Sequence, residues 1–236
     1  MARSQVYVWA FMLFFPLMAA LLYFVVFSGS AWAKPTYILT KLVQFGFPIF
    51  YVHLVRRQGI SVRAPQRKDW LAGSISGLAL AGVILTAYFA HYRAQEWMGQ
   101  VSEQIWAKLQ ELGANSRLKY IGLALFLSVI HALLEEYYWR WFVWSELARR
   151  WPSWLAIIIA NVAFTLHHIV VLYVYMPGSY FWTNGMLFSV GVAAGGVFWS
   201  MVYRYTGSIY SAWVSHVLVD GALMYIGYDL VRSRWP

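Results

Sequence analysis

Residues 119–142 read KYIGLALFLSVIHALLEEYYWRWF, a run as long as a membrane crossing that nevertheless carries two adjacent glutamates and an arginine. About 20 mostly apolar residues cover the hydrocarbon core of a bilayer. Outward from this run six further stretches qualify, at 6–28, 36–55, 70–91, 153–175, 184–203 and 208–228. Composition agrees: 61% of the 236 residues are hydrophobic and 11% charged, with a mean hydropathy of +0.55. That is too apolar for a wetted globular surface. The expected fold is an all-α polytopic membrane helical bundle, with residues 1–236 forming one integral membrane domain. The 14 Trp and 17 Tyr fit, because amphipathic rings collect at headgroup depth.

The first run, with Arg3 before it and Ala31-Trp32-Ala33 after it, has the flanks of a signal peptide. Its apolar stretch is longer than the usual h-region, so an uncleaved helix is expected. Segment 94–116 differs: Trp97, Val101, Ile105, Leu109 and Leu112 recur at helical spacing among Gln, Glu and Lys, the pattern of an amphipathic helix at the interface or on the bundle. Seven spans follow, or eight if the 92–118 connection itself crosses. Arg56, Arg57, Arg63, Arg67, Lys68, Arg149, Arg150 and Arg204 cluster in alternate loops, which places those loops and the N-terminus in the cytoplasm. Arg232 and Arg234 then lie on the opposite side, against the rule. The net charge of +9 is explained by this topology and by anionic lipid, and nucleic acid is not an expected partner. With no cysteine, thiol nucleophiles, thiolate zinc ligands and palmitoylation are excluded.

Ionisable groups at membrane depth cost roughly 2.5–3.5 kcal/mol each on insertion scales, so they need partners or a function. In HALLEEYYWR (131–140) helical spacing pairs Glu136 with Arg140 and puts Glu135 on the face of His131. Glu135 is then a carboxyl without a counter-ion, and a candidate for chemistry. Asn161, Phe164 and His168 form a seam in the next run, whereas His167 points elsewhere and reads as a packing residue, like His53 and His91. In the last run His216 and Asp220 stand four apart, so the carboxylate can orient the ring. The small residues of span six, including Gly191 and Gly195 in a G-x-x-x-G, predict close helix packing there.

One carboxylate and two imidazoles from three helices support two hydrolytic mechanisms. Glu135 can be a general base for water, with His168 and His216 positioning that water and the oxyanion. Alternatively, Glu135, His168 and His216 can ligate zinc with an open position. There is no H-E-x-x-H and no G-x-G-D; Ser74-Ile75-Ser76-Gly77 lacks the first Gly of a serine signature. A transporter or proton relay would also line its interior with such groups, but spread along a path.

Glu135-Glu136-x-x-x-Arg140, Phe164-x-x-x-His168 and His216-x-x-x-Asp220, in this order on separate apolar segments, resemble the three motifs of the CAAX-protease and bacteriocin-processing family, relatives of the Rce1 prenyl-protein endopeptidases. The resemblance covers about residues 118–222, the expected catalytic core. It implies a glutamate-dependent intramembrane endopeptidase with no metal or other cofactor, acting on a protein or peptide at the membrane. Glu135 would be the base, His168 would hold the water, and His216 would sit at the oxyanion with residue 220. Eukaryotic-type members tend to have Asn at the position of Asp220. The expected role of that Asp is to accept from one nitrogen of His216 and leave the other for the substrate.

Overall fold

A polypeptide in lipid must satisfy its backbone internally, so each apolar run closes into a helix. The computed structural model describes residues 3–176 and 178–235, and among these seven helices are long and apolar enough to cross a membrane. They are α1 (Gln5–Val26), α2 (Ala33–Val55), α3 (Arg67–Ala94), α5 (Arg117–Ala148), α6 (Ser153–Tyr175), α7 (Phe181–Thr206) and α8 (Ile209–Arg234). The 92–118 connection holds α4 (Trp97–Glu111), which is amphipathic and too short and polar to count as an eighth crossing. It buries Trp97, Met98, Val101 and Leu109, and Ser102 Oγ donates to the Leu230 carbonyl at 2.7 Å, which fixes α4 on the end of α8. Large apolar side chains such as Leu42, Ile75, Val83 and Leu118 stay exposed around the bundle, the reverse of a water-soluble surface.

The tightest seam joins α3 to α8. A Cβ on Gly73 would lie 2.7 Å from the Ser211 carbonyl oxygen and from Val214 Cβ, and one on Gly77 would lie 2.8 Å from Ser215 Cα. Gly73, Gly77 and Ala81 thus form the small-residue stripe that lets two backbones approach. The packing expected from Gly191 and Gly195 is absent: nothing lies within 4 Å of a Cβ at Gly191, and at Gly195 only Trp199 does, at 3.7 Å. In α7 the close approach falls one residue later, where Gly196 meets Asn161 and Phe164 of α6. Gly77→Ala is expected to destabilise the protein by about 1–3 kcal/mol through overpacking, while Gly191→Ala is silent. Thermal unfolding of the two detergent-purified variants checks this, and equal midpoints would refute the seam.

Both ends of this pair are pinned by buried acids. Asp69, fully buried, accepts from Arg63 Nη2 at 2.7 Å, from the Gln66 amide at 2.8 Å and from Ser211 Oγ at 3.1 Å. Asp229 accepts from Tyr88 Oη at 2.8 Å and Arg93 Nε at 2.9 Å. α8 is therefore held at a fixed height, and with it His216. The α5 helix winds as a π-helix over Phe126–His131 and again over Tyr137–Trp144, with the α-helical turn Ala132–Glu136 between them. Such widened turns are common at functional sites. Here they bracket both glutamates.

Candidate active site

Glu136 and Arg140 are fully buried and paired at 2.9 Å, as their spacing requires. Glu136 has a second role that spacing alone does not reveal. Its Oε1 lies 2.8 Å from His216 Nδ1, which donates to it, so α5 and α8 are linked at the carboxylate. Arg140 extends the link by donating from Nη2 to the Gly196 carbonyl of α7 at 3.0 Å. Its guanidinium lies over the rings of Phe164 and Trp199, 4.9 and 5.4 Å from their centroids. A buried charge tolerates this place because both terminal nitrogens meet acceptors and the guanidinium lies against π faces, although Nε has no hydrogen-bond partner among the described residues.

His216 stacks on Trp199 at 3.9 Å, and Trp199 Nε1 donates to Ser215 Oγ. The ring is thus fixed by Glu136 and Trp199, which corrects the expectation that Asp220 is its main orienting partner. Asp220 Oδ1 stands on the other side, 3.5 Å from Nε2, and its side chain is partly exposed. Nε2 also faces Glu135 Oε2 at 3.8 Å.

Glu135, almost fully buried, is not the isolated carboxyl that the sequence suggests. Its Oε1 lies 3.5 Å from His131 Nε2 and 3.4 Å from His167 Nε2. His131 is the expected neighbour on the same face. His167, expected merely to pack, stacks parallel to Trp139 at 5.6 Å and turns its Nε2 to Glu135. His168 lies beside it, with ring centroids 4.1 Å apart. His168 Nδ1 donates to the Phe164 carbonyl at 2.9 Å, so in the neutral ring Nε2 keeps its lone pair. Glu135, His167 and His168 each present a ligand atom within 4.8 Å of the others, so among the described residues this trio, rather than Glu135 with His168 and His216, could hold a metal ion. Asn161, the first residue of the seam, donates to Ser200 Oγ at 3.0 Å and packs on Gly196; it joins α6 to α7 and does not face Glu135.

One further charge in the bundle escaped the sequence reading. Lys41 of α2 donates to Gln44 Oε1 at 3.3 Å and lies 5.4 Å above the Phe45 ring, whose edge meets His131.

Residues 117–222 match the family model described as Type II CAAX prenyl endopeptidase Rce1-like. This stretch is similar to the Rce1-like endopeptidases. No curated protein and no solved structure matches the chain. The matched stretch opens on the first residue of α5 and closes two residues past Asp220, so it contains all seven motif residues. It also contains His131, His167 and Trp199, the additional neighbours of Glu135 and His216. The family points to a protease of the membrane.

Proposed function

We propose that the chain is an intramembrane endopeptidase that hydrolyses a peptide bond of a membrane-associated protein or peptide, with Glu135 as the general base. The observation that carries this reading is the buried Glu135 carboxylate among imidazoles from three helices: His131 of α5, His167 of α6 and His216 of α8. Water held between Glu135 and His168 Nε2 has two acceptors and can donate to both. Glu135 takes one proton as the water oxygen bonds to the scissile carbonyl carbon, and later returns it to the leaving amine nitrogen. His216, with Glu136 at Nδ1 and Asp220 beyond Nε2, can carry a proton on both nitrogens, and its Nε2–H is then the donor for the oxyanion. Arg140 touches neither water nor substrate; it holds Glu136 and so positions His216. The basic loops, with the N-terminus, face the cytoplasm in this reading.

Clustering favours hydrolysis over a proton relay. The acids at the two ends of the bundle, Asp69 and Asp229, are each bound to an arginine, while Glu135, Glu136 and Asp220 all converge on His216. Cells lacking the protein, complemented with wild type or with Glu135→Ala, should differ in a set of membrane proteins that stay uncut only with the Ala form. Identical sets would sink the proposal.

One observation favours a second reading. His168 donates its Nδ1–H to a backbone carbonyl and offers a ligand atom beside those of Glu135 and His167, the arrangement that orients a zinc-binding imidazole. The two readings separate on His167 and on metal. With Glu135 as base, exhaustive chelation leaves activity unchanged and His167→Phe retains part of it. Activity that is lost on chelation and restored only by added zinc decides for the metalloprotease.

The asymmetry around His216 gives a further expectation. Its contact with Asp220 is long and partly exposed, and that with Glu136 short and buried. Asp220→Asn should cost about tenfold, as for many outer partners of a functional histidine, and displace the pH–rate profile. His216→Ala should be far more damaging. An Asn variant as inactive as the Ala variant would show that the Asp220 charge itself is indispensable.

A further inference from the structure

The end of the bundle where α1 begins, α2 and α5 finish and α6 begins carries a cavity of about 340 Å³. Its charged lining is Arg56, Arg149, Arg150 and Glu146. Glu146 is buried and shared: Arg149 Nε approaches it at 3.2 Å and Arg56 Nε at 3.7 Å. One carboxylate against three guanidiniums leaves two positive charges unmatched. Among the described residues Arg150 meets only a neutral partner, donating to Gln5 Oε1 at 3.2 Å, and Arg149 spends its Nη2 on Gln58 Oε1 at 3.1 Å.

The backbone holds this arrangement at a cost. Arg57 has φ 52°, in the left-handed region that side chains other than glycine rarely adopt. The turn brings the 58–63 loop back over α5, where Trp141 Nε1 donates to the Ser61 carbonyl at 3.0 Å. Arg56, just before this turn, stays at the cavity lining. Trp9 and Tyr51 supply an aromatic wall, a fitting neighbour for the point where a lipid headgroup meets its acyl chains.

We propose that this cavity binds a phosphate group: three arginines around a single carboxylate supply the positive charge and the planar paired N–H donors that take two oxygens of a tetrahedral phosphate, as basic pockets between membrane helices take anionic headgroups. The phosphate comes either from an anionic phospholipid or from a free phosphate in solution. Glu146 is the fixed counter-charge that keeps Arg56 and Arg149 from dispersing while the site is empty.

The full-length protein in neutral detergent is titrated with short-chain phosphatidylglycerol, with phosphatidylcholine and with inorganic phosphate, following the thermal midpoint. At about 0.5 M salt the Debye length is on the order of 4 Å, so diffuse attraction to basic residues in general is screened. Phosphatidylglycerol raises the midpoint more than phosphatidylcholine does, and Arg150→Gln weakens that titration by about tenfold or more. Arg204→Gln removes an equal charge at the same end of the bundle but outside the cavity, and shifts the titration by less than about twofold, consistent with screening. A rise with inorganic phosphate that is also lost in Arg150→Gln assigns the site to free phosphate; a rise with the lipid alone assigns it to the headgroup. If Arg150→Gln does not fold, Arg56→Gln takes its place. No rise with either anion, or equal losses in Arg150→Gln and Arg204→Gln, overturns the proposal.

Discussion

Glu135→Gln lowers the rate of substrate cleavage by about 10²–10⁴-fold, the contribution of a positioned general base, and leaves the protein folded. The amide has the shape of the carboxyl and can still accept from His131 or His167, so the packing survives while the basicity is lost. Single-turnover cleavage of a substrate identified from the complemented strains measures the loss, and the thermal midpoint in detergent reports the fold. Wild-type cleavage by the Gln form would remove Glu135 from the mechanism. A loss of activity accompanied by unfolding would instead make Glu135 structural.

Glu136→Gln has its largest effect on stability. Among the described residues it removes the only carboxylate paired with the fully buried Arg140, and an uncompensated buried charge costs about 3–5 kcal/mol. Arg140→Leu should be destabilising for the same reason, since it strands Glu136 with His216 alone. The double variant Glu136→Leu/Arg140→Leu recovers most of the stability, because an apolar pair of similar volume replaces a buried ion pair at little cost. It does not recover activity, because His216 has lost the acceptor at Nδ1. A double variant as unstable as the sum of the singles would show that the pair is not the source of the effect.

The spans and the contacts within single helices were legible in the sequence, because the lipid enforces helix and helical spacing then fixes which residues share a face. His131 with Glu135 and Glu136 with Arg140 follow from an interval of four. Contacts between helices were not, since they depend on crossing and height. Glu136 reaches His216 of α8, and His167 reaches Glu135 of α5, only once the bundle has packed, with α8 seated on α3 at Gly73 and Gly77 and α6 seated on α7 at Gly196. A G-x-x-x-G at 191–195 has the same spelling as such a seam but faces open space. Lys41 was passed over because it lies near the start of its run, where charge is ordinarily cheap. The π-helical turns around Ala132–Glu136 leave no mark in residue spacing that was read.

The Glu136 hub also bears on how such a chain can change over generations. Two side chains, Arg140 of α5 and His216 of α8, and through Arg140 a carbonyl of α7, depend on one carboxylate oxygen of Glu136. Losing any one member alone costs a large part of the roughly 5–15 kcal/mol by which ordinary domains are stable. Single steps away from the constellation therefore descend into a fitness valley even where the catalytic function is no longer under selection. Descendants are expected to keep Glu136, Arg140 and His216 together or to have replaced them as a block, so that these three positions covary far more tightly than the neighbouring, more exposed Asp220.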